Sequence, residues 1–269
     1  MTRLATGAAA IVLAVLPRTA ASAAPASPEQ PLRASATQPA RANASPAAAL
    51  SPAEVLGRYA AALRGVAVPH AMTFDYTVEQ TGPRNLVQTH RIYRQGEAER
   101  DETLAVDGYT LKKPAIRIIV RKRERYAIAR LAPKPGDYVF RFLGVSAHGR
   151  ARRYVFSTTS RKPGALEVVR VEIDGRVFLP ARIDYRMSGR ALRGTTSIAF
   201  ARVGSYWLVR EAVSAATLAG DRAVRERIAW SVYAFPPDIP AAAFTNAPTP
   251  RPVAAPLPIV PAPLGTAPR

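Results

Sequence analysis

Nucleophilic, acid–base and metal chemistry each need particular side chains at particular spacings, and this sequence of 269 residues offers few of them. It has no cysteine, which removes thiol nucleophiles, disulfides and every cysteine-ligated zinc, iron–sulfur or haem site. Its three histidines, His70, His90 and His148, fall in a loop after a helix, in a strand and in a turn, a scatter that makes no His-rich metal site. Serine is plentiful, but neither Gly-x-Ser-x-Gly nor Ser-x-x-Lys occurs, so the hydrolase nucleophile signatures are missing. Glu97, Glu99, Asp101 and Glu102 form the one acidic cluster, flanked by Arg94 and Arg100. A metal set or general-acid pair is conceivable there; the spacing reads better as a solvated hairpin rim with local ion pairs. No catalytic residue, metal ligand or cofactor is assigned, and no enzymatic activity is expected.

The elements that would position any site begin at Ser51-Pro52-Ala53-Glu54. Ser at N-cap, Pro at the first helical position and Glu at N3 make a capping box, with Leu50 and Val55 placed as a hydrophobic staple. Val55, Leu56, Tyr59, Leu63 and Val66 share one face of the resulting four-turn helix, which ends before Pro69. Thereafter the apolar period is 2: Met72, Phe74, Tyr76 and Val78 alternate with polar residues. Further strands are predicted at Leu86–Tyr93, Arg100–Val106, Ile116–Arg121, Tyr126–Leu131, Tyr138–Leu143, Arg153–Thr158, Leu166–Ile173, Val177–Met187, Thr195–Ala201, Trp207–Leu218 and Val224–Phe235. Asp174-Gly175 is placed to make a tight hairpin turn. About eleven or twelve consecutive strands with one helix specify a mainly β fold. An antiparallel meander of that size curves into an unclosed half β-barrel, with the N-terminal helix covering the concave face. The alternation nominates Phe74, Tyr76, Phe140, Phe142, Tyr154, Phe156, Ile183, Tyr185, Ile198, Phe200, Trp207 and Trp230 for that face.

The flanks differ in kind. Met1-Thr2-Arg3, the apolar run Leu4–Leu16 and Ala21-Ser22-Ala23 read as a signal peptide cleaved after residue 23. The run is too short to span a membrane, so an exported, periplasmic or envelope protein that does not span the membrane is expected. Residues 24–50, with five prolines, and Thr245–Arg269, with eight, cannot build a core and read as disordered linker and tail around a folded domain of residues 51–244. The formal charge is +19; removing Arg3 and Arg18 with the leader leaves +17. Genome composition or attraction to envelope polyanions and anionic membrane surfaces would each account for it. Nucleic acid is not expected as a partner, since no basic cluster is interleaved with stacking aromatics; Arg121-Lys122-Arg123 is one short run.

Several segments resemble one family. The ending Trp230-Ser231-Val232-Tyr233-Ala234-Phe235-Pro236-Pro237, the strand Leu179-Pro180-Ala181-Arg182-Ile183-Asp184-Tyr185, the turn Ala105-Val106-Asp107-Gly108-Tyr109-Thr110-Leu111 and the strand opening Gly204-Ser205-Tyr206-Trp207 are similar to those of the LolA/LolB-like outer-membrane lipoprotein-sorting superfamily. With no cysteine available for lipid modification, the resemblance excludes the membrane-anchored branch and leaves the soluble carrier-type branch or a sensor-like relative. It implies an unclosed barrel with a helical lid whose cavity shields the acyl chains of a lipoprotein or lipid. Phe74, Tyr76, Phe140, Phe142, Tyr154, Phe156, Tyr185, Phe200, Trp207 and Trp230 would line that cavity, and Leu56, Tyr59 and Leu63 would form the lid. Where the best-studied branch latches its lid with an Arg-Pro pair, this chain has Tyr93-Arg94-Gln95-Gly96, so Arg94, without the proline, is the latch candidate.

The function expected is that of a monomeric carrier in transient contact with inner- or outer-membrane machinery. The alternative is a non-enzymatic envelope interaction or sensor module holding polyanionic cell-wall or membrane surfaces through its arginine-rich exterior. Charging a cavity residue should disable the first, and salt should disable the second.

Overall fold

The computed structural model of the chain describes residues 50–120, 128–148, 151–189 and 192–245. The expected leader, the basic run from Arg121, and the tail beyond Thr245 lie outside the described residues. Helix α1 (Pro52–Gly65) opens as the sequence dictates: the Ser51 side chain accepts from the Glu54 amide, and the Glu54 carboxylate accepts from the Ser51 amide at 2.8 Å. Eleven strands follow: β1 (Ala71–Thr81), β2 (Leu86–Gln95), β3 (Ala98–Val106), β4 (Tyr109–Val120), β5 (Tyr138–His148), β6 (Ala151–Ser160), β7 (Leu166–Asp174), β8 (Pro180–Ser188), β9 (Leu192–Val203), β10 (Tyr206–Leu218) and β11 (Arg222–Ala234). They form one antiparallel sheet in the order β4-β3-β2-β1-β11-β10-β9-β8-β7-β6-β5. It is unclosed, with β4 and β5 as its edges.

The sheet is two meanders joined by β1 and β11, which pair from Thr73–Ala234 to Thr81–Arg225. Its edges are therefore neighbours in sequence, and the described part of the chain between them contains one helical turn, α2 (Ile128–Leu131). One contiguous apolar cluster joins Val55, Tyr59 and Leu63 of α1 to residues from Ile92 on β2 through to Phe156 on β6. Eleven flat strands would measure about 48 Å across, and a 14-residue helix is about 21 Å long. A single cluster around such a helix requires the sheet to curl about it, and α1 fills the concave side.

Four sequence expectations are corrected. The strand expected at Tyr126–Leu131 is α2 over its described part: the Ala132 amide donates to the Ile128 carbonyl at 2.9 Å, burying Ile128 and Ala132 on one face. Over so few residues a spacing of four fits a helical turn as well as a strand. The hairpin expected at Asp174-Gly175 is a longer loop. The Asp174 side chain accepts from the Arg176 and Val177 amides, and the positive φ falls on Phe178 (55°) rather than on the glycine. The tight Asp-Gly turn lies instead between β3 and β4, where Asp107 and Gly108 have φ of 49° and 83°. Strand β4 begins at Tyr109, seven residues earlier than predicted, because Lys112-Lys113-Pro114 interrupts the alternation; an edge strand tolerates the proline.

The fourth correction concerns the acidic cluster, since Glu99, Asp101 and Glu102 are buried, not solvated. On the outer face of β3 the segment after β11 folds back as a strap ending in a 3-10 turn (Ala241–Phe244). The fully buried Arg100 guanidinium donates to Glu102 at 2.7 Å and to the Ala243 and Thr245 carbonyls at 2.9 and 2.8 Å. Gln95 adds a hydrogen bond to Asp238 and accepts one from the Ile239 amide. Removing Arg100 would leave the Glu102 carboxylate and two carbonyls without that donor. Arg100→Ala should therefore lose about 3 kcal/mol in urea unfolding and make the strap the first site of proteolysis; a loss near zero with an uncut strap would contradict this role.

Candidate functional site

The concave face is the candidate site, and the β period of 2 builds it. Phe74, Tyr76, Tyr154, Phe156, Tyr185, Phe200 and Trp230 are buried in the cluster around α1. Phe140 and Trp207 are half-buried against it. Tyr59 meets Phe140 edge-on at 6.1 Å between ring centroids, Phe140 meets Phe156 at 6.0 Å, and Phe156 meets Phe142 at 5.3 Å. That chain of rings runs from the centre of the fold to edge strand β5. There Phe142 is 38% exposed, beside the exposed apolar side chains of Val139, Leu143 and Val145. The structure thus brings nine of the ten aromatic candidates into the interior or against it and sets Phe142 on the rim. Phe142 shares the inner face with its register partner Phe156 and is exposed because β5 is an edge strand with no neighbour on its far side.

Of the helical candidates, Tyr59 and Leu63 are buried and Leu56 is half-buried against the cluster. The Tyr59 hydroxyl donates to the Pro133 carbonyl at 2.8 Å, and the Tyr185 hydroxyl donates to the Leu131 carbonyl at 2.6 Å. These bonds tie α1 to the α2 segment and that segment to the sheet. Burial pushes both tyrosine hydroxyls above their ordinary range, so they remain protonated donors. Arg94 is buried near the end of β2, in register with Met72 on β1 and Glu99 on β3.

A second bulge matters to the lining. Between Thr73 and Asp75 the β1–β11 register shifts, and Val232 adopts a positive φ of 51°, which a β-branched residue rarely does. The shift turns Tyr233 inward, where its ring lies 5.4 Å from Phe74 and its hydroxyl donates to the Val209 carbonyl at 2.6 Å.

Two groups of polar side chains share this face and are absent from the sequence-based assignment. Near the β4 edge His90 stacks on Tyr76, with ring centroids 4.6 Å apart, and its Nδ1 lies 2.9 Å from the Asp101 carboxylate. Arg117 donates to the other Asp101 oxygen at 2.7 Å. Burial acts to raise the Asp101 carboxyl, but the hydrogen bonds and charge supplied by His90 and Arg117 outweigh it and hold it below its ordinary range. The second group is a row across four strands: Gln80 on β1, Glu226 on β11, Ser214 on β10 and Thr196 on β9 are successive register partners. The Ser214 and Thr196 hydroxyls lie 3.0 Å apart. Glu226 is 2% exposed, and burial raises its carboxyl to about 7. Both groups are visible in retrospect as breaks in alternation: Glu226 occupies an inward slot between Val224 and Ile228, and His90 one beside Ile92.

Among the described residues no three His, Asp or Glu side chains converge in a way that would hold a metal ion, and no helix is long and apolar enough to cross a membrane. An open depression of about 480 Å³ lies on the outer face, among Arg182, Asp184, Ser197, Glu211 and Val213. Arg182 and Asp184 form an ion pair there, and Ser197 donates to Asp184.

No protein-family model matches the chain, and no curated protein matches it. Solved structures do. A LolA superfamily protein from Nitrosomonas europaea is similar at 12% identity and a TM-score of 0.39, over 73% of this chain and 98% of that one. A DUF1329 family protein from Desulfovibrio piger is similar at 11% identity and a TM-score of 0.42, over 73% and 98%. An outer membrane lipoprotein-sorting protein domain from Vibrio parahaemolyticus is similar at 12% identity and a TM-score of 0.35, over 71% and 94%.

The Glu226 carboxyl provides a direct test of the site's electrostatics. Its folded value of about 7 lies above its ordinary 4.5, so between those pH values the folded state binds the proton more tightly. The contribution is complete below about 4.5 and is lost as pH rises through about 7. Relative to Glu226→Gln, the native protein should lose on the order of 2 kcal/mol of unfolding free energy between pH 4.5 and 8. Parallel pH dependences for the two proteins would refute the buried, desolvated assignment.

Proposed function

We propose that this chain is a non-enzymatic periplasmic carrier or binding protein that shields acyl chains of a lipoprotein or lipid against the concave face of its half-barrel. The observation that carries the reading is the open side of the sheet. Edge strands β4 and β5 leave a slot rimmed by exposed apolar side chains, and aromatic rings lead from that rim to the centre of the fold. Exposed apolar surface continuous with an apolar interior suits an apolar guest. Each methylene moved from water into such an interior gains about 0.8 kcal/mol, so long acyl chains are held without covalent chemistry. The lid would be α1 with the α2 segment. Apolar packing, which is non-directional, would let these elements move aside as a guest replaces their contacts.

On this reading residues 1–23 direct export, and the proline-rich segments 24–50 and 245–269 are spacers around a carrier domain of residues 51–244. The protein would act as a monomer that meets membrane machinery transiently. The arginine-rich outer face supports at most a contributory attraction to anionic surfaces. Many of its arginines are already engaged with acids, as in Arg91–Asp75, Arg153–Glu172, Arg186–Glu167 and Arg227–Glu211.

Native mass spectrometry with lipid extraction, on mature protein from an envelope fraction, should find lipid or acylated peptide at near-stoichiometric ratio. Phe142→Glu places a charge on the rim, at a half-exposed position where folding survives. It should weaken binding of a fluorescent acyl probe about tenfold, while added salt changes little. An apo mass unchanged after incubation with lipids and lipopeptides would overturn the carrier reading, and steep release by salt would favour polyanion binding instead.

A further inference from the structure

Glu226 and Gln80 are cross-strand neighbours facing the interior, and their three acceptor atoms form an incomplete polar site. Neither Glu226 carboxyl oxygen has a hydrogen-bond partner, and the buried Gln80 side-chain oxygen has none either. The Gln80 amide nitrogen is turned away, donating to the Arg84 carbonyl at 3.3 Å. Buried polar atoms are nearly always satisfied, so three orphan acceptors on adjacent strands point to a donor that the described residues do not supply. The surroundings make that donor specific. Val224 and Ile228 flank Glu226 on its own strand. Beyond it lies a smaller apolar cluster of Met187, Ala216 and Val224. Among the described residues, the groups that face Glu226 from the neighbouring strands are Gln80 and Ser214, with Thr196 behind, and none of them is cationic. Arg225 and Arg227 alternate to the outer face, where Arg227 pairs with Glu211 and Glu79.

Resting on the carrier reading above, we propose that Gln80 and Glu226 form a polar subsite of the acyl cavity that takes a primary ammonium group of the bound amphiphile. A primary ammonium brings three N–H donors and one positive charge, which match three acceptors and one carboxylate. A hydroxyl brings one donor and no charge, a quaternary ammonium brings charge and no donor, and an anionic headgroup is repelled. With the carboxyl raised to about 7, an arriving ammonium below that pH displaces a proton and above it meets a carboxylate already formed. The ammonium could belong to a simple alkylamine or to an aminophospholipid headgroup.

The test is fluorescence displacement on the full mature chain at pH 8, with dodecylamine, dodecanol, dodecyltrimethylammonium and, as a separate arm, phosphatidylethanolamine against phosphatidylglycerol. Dodecylamine should bind at least tenfold more tightly than dodecanol or the trimethyl compound. Glu226→Gln should abolish that preference, and Gln80→Leu should reduce it. A matching preference for phosphatidylethanolamine assigns the headgroup as source; its absence, with dodecylamine still preferred, assigns the free amine. Equal binding of dodecylamine and dodecanol, or a preference that survives Glu226→Gln, overturns the subsite while the carrier stands. Failure of every amphiphile to bind overturns both.

Discussion

The pairing of the first strand with the last is the constraint on which the rest of this fold depends. Strands joined only in sequence order would make a ribbon whose edges are β1 and β11. Pairing those two instead moves the edges to β4 and β5. The slot in the half-barrel thus opens at an interior connection of the chain, and the segment that bridges it is held at the concave side through Leu131 and Pro133. The position of the bridging segment, the open edge and the interior are consequences of one register. The same pairing aligns Gln80 with Glu226 and Tyr76 with Trp230, so the chemistry of the interior is set by residues about 150 positions apart.

The two polar groups inside obey opposite rules. His90, Asp101 and Arg117 satisfy one another, and the carboxylate is stabilised in its charged form despite burial. Such a network fixes the positions of β2, β3 and β4 and closes the interior near the free edge, where packing alone is weakest. Glu226 receives no such compensation and is pushed toward neutrality. A fold able to build the first arrangement is not short of means to build the second, and an apolar residue in the Glu226 slot would cost nothing in hydrogen bonds. On the proposed function, the uncompensated acid answers to a guest of the interior rather than to what holds the sheet together.

The architecture is legible in the sequence wherever a local period carries it. The capping box at Ser51, the alternation through β1 and the long final strands all specify their elements directly. The failures share one physical cause, which is that burial is decided by partners distant in sequence. Glu99, Asp101 and Glu102 look like a solvated rim because nothing local announces that the strap from Asp238 to Thr245 will cover Arg100, or that Tyr76 will stack on His90. Phe142 follows the inward alternation, but its place on an edge strand leaves it half exposed. The aromatic lining was readable as a set because each member obeys the period; the polar members were not, because an acid at an inward slot contradicts the period and means little until its cross-strand neighbours are known.

Period 2 repeated through eleven strands also separates two kinds of surface on a single sheet. One set of alternate residues gathers the aromatic rings and the helix. The other carries arginines that pair with the available acids, and it receives the strap, whose Thr245 end lies over β3 on the outer face. What holds the strap there is the buried guanidinium of Arg100, a residue whose side chain points away from the interior, so the strap and the concave cluster are fixed by different residues.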